Sequence, residues 1–154
     1  MVLPASHKSM KNVAVILAGG VGNRMGCILP KQFLEIKGRP MIEYSVEMFD
    51  NHVLIDEIAI VVHPDYMDKM AQIVRKNGWK KVRKLLRGGA ERTDSSLAAI
   101  HAYEGESTVN LLLHDAVRPW VSESLVTRVV KALEKHEAVG VAVPSTDTVW
   151  VVEQ

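Results

Sequence analysis

The sequence predicts an α/β protein built on a mainly parallel sheet with helices on both faces. Short apolar runs at Val13–Ala18, Glu57–Val62 and Val109–Leu113 suit strands buried on both faces. Segments with helical periodicity stand between them, and strands alternating with helices of roughly ten to fifteen residues imply βαβ units. Three loops rich in glycine or charge, 19–31, 88–95 and 114–119, then fall at the C-terminal ends of strands, where such sheets bind ligands.

The bounds agree with one globular domain. The chain has 154 residues, 47% of them apolar, enough for a real core. A net charge of +1 gives no global case for nucleic acid or an anionic membrane. A single cysteine excludes an intramolecular disulfide framework and makes a reducing cytoplasm the default. No apolar run approaches the ~18 residues of a membrane span, and the opening MVLPASHKSMK lacks the apolar middle of a signal peptide. Residues 1–11 read as a loose tail and 12–154 as one domain. The apolar stretch at Val149–Val152, with no polar tail after it, reads as a cut, so the C-terminal part of the domain is expected to be missing.

Along the chain, Gln32–Ile36 reads as short and extended, closed by Lys37-Gly38. Pro40 suits a first helical position, with Met41, Tyr44, Ser45, Met48 and Phe49 on one face. Asp65 suits the N-cap of a helix to about Lys76 that turns Met67, Met70, Ile73 and Val74 inward. Lys81–Leu86 is a more polar strand. Thr93 or Asp94 opens a helix with Leu97, Ala98 and Ile100 as its core stripe, and Ser122 caps one carrying Leu125, Val129, Val130 and Leu133. Ala138–Val143 reads as the next strand.

The stretch Val13–Lys31, VAVILAGGVGNRMGCILPK, concentrates the chemistry. A buried strand breaks at once into Gly19, Gly20 and Gly22, and the loop beyond carries Arg24 and Lys31. Glycines let backbone N–H groups approach an anion, and the cations add charge, which points to a nucleoside triphosphate site. The glycines alone could equally make a tight strand-to-helix turn; the cations favour the site. The G-x-G-x-x spacing ends in Met25, which counts against a dinucleotide fold.

Four blocks in order, LAGGVGNRMG, PKQF, GGAERTDS and HDAVRP, resemble the cytidylyltransferase family of 2-C-methyl-D-erythritol 4-phosphate cytidylyltransferase and ribitol-5-phosphate cytidylyltransferase. The resemblance runs from Ala14 to about Thr148. It implies a Rossmann-like nucleotidyltransferase, three layers α/β/α, that joins CMP from CTP to a polyol phosphate and releases pyrophosphate. It also implies roles. Arg24 and Lys31 match the catalytic loop cations that hold the triphosphate. Leu17, Ala18, Gly19, Gly20 and Gly22 match positions lining the nucleotide. Gly89, Ala90 and Ser95 match the block that recognises cytosine and ribose, with Ala90 standing where an acidic residue is common. Asp115, followed by Ala116, matches the strand end that contacts nucleotide and holds Mg²⁺. Arg118 and Thr148 match acceptor-side positions. Leu17 replaces a proline of the methylerythritol enzymes and leans toward the ribitol branch. A homodimer in the full-length protein is implied, with no nucleic-acid or membrane partner.

Several residues have plainer readings. The acceptor phosphate is already an anion and needs no general base, so His114 is assigned to structure. Cys27 has no base nearby and no catalytic role. Arg75, Lys76, Lys80, Lys81, Arg83, Lys84 and Arg87 read as a solvated helix end and edge strand; only Trp79 interleaves as a stacking group. His63, His101 and His136 lack metal-ligand spacing, and Trp120 and Trp150 read as packing residues. Two other functions stay open at this level: a nucleotidyltransferase making UDP- or GDP-sugars, and an inactive nucleotide-binding fragment.

Overall fold

The middle of the sheet is made by β1 (Lys11–Ala18) and β4 (Glu57–Val62), parallel and in register from Val13 opposite Glu57 to Ala18 opposite Val62. β5 (Val82–Arg87) pairs outside β4 and β6 (Val109–Asp115) outside β1, giving the all-parallel order β5-β4-β1-β6. Every residue of β4 is buried, whereas β5 and β6 are partly exposed, as their places in the order require. These coordinates are a computed structural model that describes residues 10–20, 29–89 and 91–144.

Helices α1 (Met41–Asn51), α2 (Met67–Asn77) and α4 (Glu123–Leu133) cover one face of the sheet, where Ile16, Ile58 and Ile60 meet Ile42, Met70 and Val126. Helix α3 (Arg92–Ala102) covers the other, where Val13, Val15 and Val61 meet Ala99 and Tyr103. The three layers are those the sequence predicts. At the N-terminal edge of the strands, Glu57 accepts Lys11 Nζ at 2.7 Å and the Tyr103 hydroxyl, and Lys84 lies 3.7 Å from the centre of the Tyr103 ring. Burial acts to raise the Glu57 carboxyl, but Lys11 and Tyr103 together overcome it and hold the group below its ordinary value.

Several local expectations are corrected. Lys11 belongs to β1, and residues 1–9 of the expected tail lie outside the described residues. Gln32 is not extended: Lys31–Phe33 is a 3-10 turn, and a small hairpin of β2 (Glu35–Ile36) and β3 (Arg39–Pro40) follows. Its tip needs two positive φ values, 51° at Lys37 and 76° at Gly38. On α1 the buried residues are Ile42, Glu43, Ser45, Val46 and Phe49; Met41, Tyr44 and Met48 lie at the margin. Asp65 is not the cap of α2, because a 3-10 turn at Pro64–Tyr66 comes first and His63 Nδ1 accepts from the Asp65 N–H. Helix α3 starts at Arg92 with Glu91 as N-cap and Asp94 in a reciprocal capping box. Its inward positions are small, Ser95 and Ala99, while Leu97 and Ile100 face out at 46% and 47% exposure. The helix approaches the sheet too closely for bulk on that side. On α4, Val126 and Val130 are the buried residues, and Leu125, Val129 and Leu133 flank them.

Ala138–Val143 forms no strand. Across from it lies β6, whose outer edge pairs with no strand among the described residues, and a cavity of about 1070 Å³ separates the two. An apolar run in sequence carries no information about whether a partner edge is within reach. Trp120 is likewise no packing residue: it is 76% exposed, its ring tilted against Tyr44 at the mouth of that cavity. The basic stretch behaves as a solvated edge with anchors, since Lys81 donates to the His52 carbonyl, Lys84 to the Ala102 carbonyl, and Lys76 approaches Glu43.

Candidate nucleotide site

Parallel strands end together, so three loops leave the sheet at one edge. β1 and β6 finish side by side, with Leu17 in register with Asp115, and the Ala116 N–H donates to the Leu17 carbonyl at 3.0 Å. From beneath, Ser45 Oγ donates to the Ala116 carbonyl at 3.2 Å. On the other side the chain leaving β5 turns over the end of β4, where the Gly88 N–H donates to the Val62 carbonyl at 2.8 Å. That crossing brings Gly88 to Gly19.

The floor made there is main chain. A Cβ built on Gly88 would lie 3.5 Å from the Cα of Gly19 and 2.7 Å from Ser95 Oγ. A Cβ on Gly19 would lie 2.5 Å from the same hydroxyl. Ser95 is buried, one turn into α3, and its Oγ donates weakly to the Glu91 carbonyl at 3.4 Å. Gly89 abuts Asp94, whose Cβ would be 2.3 Å from an added Cβ. The structure therefore brings Gly19, Gly89 and Ser95 together, with Leu17, Ala18 and Gly20 on the β1 side. Gly22, Arg24, Cys27, Ala90, Thr148 and Trp150 lie outside the described residues.

The opposite wall is charged. Asp115 Oδ1 takes the Nη2 and Nε of Arg92 at 3.1 and 3.2 Å, and Oδ2 takes Arg118 Nε at 3.0 Å. Two guanidiniums share one carboxylate, so the group carries one surplus positive charge at the mouth of the site, suited to an anion. Arg92 was not singled out in the sequence, although it stands inside GGAERTDS. It joins the first turn of α3 to the end of β6.

The resemblance implies Mg²⁺ at Asp115; in this structure that carboxylate is engaged by two guanidiniums. Both carboxylate oxygens already hold guanidinium donors, the local charge is positive, and no group of three His, Cys, Asp or Glu that could hold a metal occurs among the described residues.

His114 is engaged by its neighbours. Its Nε2 donates to the Arg118 carbonyl at 3.1 Å and its ring meets Phe49 edge-on. Burial lowers its basicity, outweighing the Arg118 carbonyl and the charge of Asp115, so the ring is neutral near pH 7. The second wall-like feature, the cavity beside β6, is lined mainly by apolar groups such as Leu111, Leu113, Val126 and Val129. It touches Arg92, Asp115 and Arg118 at one end but includes neither Gly19 nor Ser95, and its mainly apolar lining does not suit a triphosphate.

Fold and site define a class: a Rossmann-like α/β domain with a glycine-lined, positively charged edge where its strands end. The chain belongs to the 2-C-methyl-D-erythritol 4-phosphate cytidylyltransferase (IspD) family, whose sequence model matches residues 12–154. It is 42% identical over 140 residues to the bifunctional ribulose 5-phosphate reductase/CDP-ribitol pyrophosphorylase Bcs1 of Haemophilus influenzae, covering 90% of this chain and 30% of that protein. It is 41% identical over 145 residues to the 2-C-methyl-D-erythritol 4-phosphate cytidylyltransferase of Thermobifida fusca, covering 94% of this chain and 58% of that protein. The crystal structure of 4-diphosphocytidyl-2C-methyl-D-erythritol synthase from Anaerococcus prevotii matches with a TM-score of 0.77 at 31% identity, over 94% of this chain and 60% of that one. No described helix is long and apolar enough to cross a membrane.

Proposed function

We propose that this chain is the nucleotide-binding part of a CTP-dependent cytidylyltransferase acting on a polyol phosphate. The observation that carries the reading is the main-chain meeting of Gly19 and Gly88 over Ser95, beside an Arg–Asp–Arg wall, in a chain that belongs to the family. A phosphate oxygen of the acceptor attacks the α-phosphorus of CTP. One P–O bond forms, the bond to the β-phosphate breaks, and pyrophosphate leaves with its electron pair. The nucleophile is already an anion, which agrees with a neutral, structurally engaged His114.

The residues then divide the task. Gly19, Gly20, Gly88, Gly89 and Ser95 receive the nucleoside and the start of its phosphate chain. Lys31 and Arg24 offset the charge that accumulates on the triphosphate. Arg118, with Thr148, faces the acceptor, which is 2-C-methyl-D-erythritol 4-phosphate or D-ribitol 5-phosphate; relatives of both kinds match at 41% and 42% identity. A cytoplasmic homodimer is part of the same proposal and rests on the family resemblance alone.

The test has two parts. Calorimetric titration of this chain should show CTP binding at least tenfold tighter than UTP or GTP. Pyrophosphate release by a chain completed to the length of the relatives, with the two acceptors offered in parallel, should identify the polyol. Equal affinity for the three nucleotides would overturn the cytidine assignment, and release with neither acceptor would overturn the reaction.

A further inference from the structure

The side chain of Gln32 is buried at 2% exposure, unusual for a residue with a primary amide on a loop. Its Nε2 donates to the carbonyl of Ala18 at 2.7 Å and to the carbonyl of Gly20 at 3.0 Å. Those two carbonyls flank Gly19, at the exit of β1. One amide thus reaches back across the glycine loop and ties its departure to the 3-10 turn at its return. That turn is itself fixed, since Phe33 N–H donates to the Pro30 carbonyl at 2.9 Å and the Phe33 ring is buried beside Tyr66.

The direction of these bonds matters for an anion. A carbonyl oxygen facing a phosphate repels it, while an N–H attracts it. Across a planar trans peptide the carbonyl and the following N–H point opposite ways. With the Ala18 carbonyl drawn inward onto Gln32, the Gly19 N–H is aimed to the other side. We propose that Gln32 is a positioning residue for the nucleotide site: it turns the carbonyls on either side of Gly19 away from the phosphates and sets Lys31, its chain neighbour, at the loop's return. This rests on the nucleotide reading above. A glutamate of the same shape would fail there, because an ionised carboxylate offers no donor and faces two carbonyl oxygens. Protonated, it would recover one donor.

The experiment compares wild type, Gln32→Leu and Gln32→Glu by calorimetric CTP titration between pH 5.5 and 8, with melting temperatures followed by circular dichroism. Ratios of variant to wild-type Kd at each pH cancel the titration of CTP itself. Gln32→Leu should raise Kd about tenfold, the loss of roughly one well-made hydrogen bond's net contribution. The Gln32→Glu ratio should grow severalfold from pH 5.5 to 8, and the Gln32→Leu ratio should stay flat. A purely structural role would lower melting temperatures and leave both Kd ratios within twofold of one at every pH, and that result overturns the proposal. Wild type needs no variant for a second reading. In ¹⁵N spectra the Gln32 side-chain protons should exchange slowly and shift when CTP saturates the protein; fast exchange without a shift also overturns it. Should wild type bind no CTP at all, the nucleotide reading falls first and this proposal falls with it.

Discussion

Replacing Gly19 by alanine puts one methyl group in a place where the obstacle is a single rotatable atom. The new Cβ lies 2.5 Å from Ser95 Oγ, but 3.7 Å from Ser95 Cβ and 4.0 Å from the Gly88 Cα, both ordinary contacts. Gly19 has no left-handed φ, so the cost is steric and not conformational. Gly19→Ala should therefore cost about 1–3 kcal/mol, the usual range for overpacking a close contact. Ser95→Ala alone should cost under about 1 kcal/mol, since its hydrogen bond to Glu91 is long at 3.4 Å. Together they should cost less than their sum by about 1 kcal/mol or more, because removing the hydroxyl removes the clash. Urea denaturation of the four proteins with a common m-value measures this coupling. Additivity within about 0.5 kcal/mol would refute the claim that the two loops touch through Ser95. Gly89→Ala makes the control, since its Cβ meets the Cβ of Asp94, which cannot rotate aside, and its cost should exceed that of Gly19→Ala.

Glu57→Gln should lower stability at pH 7 by about 1–2 kcal/mol, less than for a fully buried pair because Lys11 is a third exposed. Glu57 is held below its ordinary value, so that difference is full above the unfolded carboxylate pKa and vanishes as pH falls through the lower folded one; melting curves at pH 7 and 3 would show it, and an undiminished difference at low pH would refute it. Lys31→Ala should weaken CTP binding about tenfold or more while moving the melting temperature by less than about 2 °C, since a surface-reaching cation adds little to the core. Asp115→Asn should leave the Mg²⁺ dependence of CTP binding as in wild type; a shifted dependence, read from titrations over Mg²⁺ concentration, would make Asp115 a metal ligand after all.

Periodicity and run length were enough for the strands of the sheet and the helices that cover it, because buried parallel strands leave almost no polar residue to misread. β4 appears with the bounds its residues suggest. What could not be read were features set by a neighbour distant in sequence. Leu97 and Ile100 look like a core stripe until the closeness of α3 to Gly19 and Gly88 excludes bulk there. Val141 and Val143 look like a strand, but a cavity keeps their stretch from the edge of β6. At the site, the glycine break after β1 pointed to Gly19 and the family resemblance to Gly89 and Ser95, yet Arg92 and Gln32 carried no signal of their own, one an ordinary charged helix start and the other a polar residue in a short motif. Their contacts depend on Asp115 and on two main-chain oxygens that only the fold supplies. The capping box at Glu91 and Asp94 was legible in principle, but glutamate is an uncommon cap and hid it.

The two sides of this site differ in the kind of matter that holds them. Below, backbone rests on backbone, and dissolved ions have no purchase on it. Above, Arg92 stretches from α3 to the tip of β6 through a contact that is largely open to water, its side chain 65% exposed. Ionic strength reaches that strap within a Debye length and leaves the base beneath untouched. A change of salt therefore loosens one rim of the site while its bed keeps its shape, and under the proposed function a nucleoside on the bed would feel the buffer far less than a phosphate ester beside Arg92.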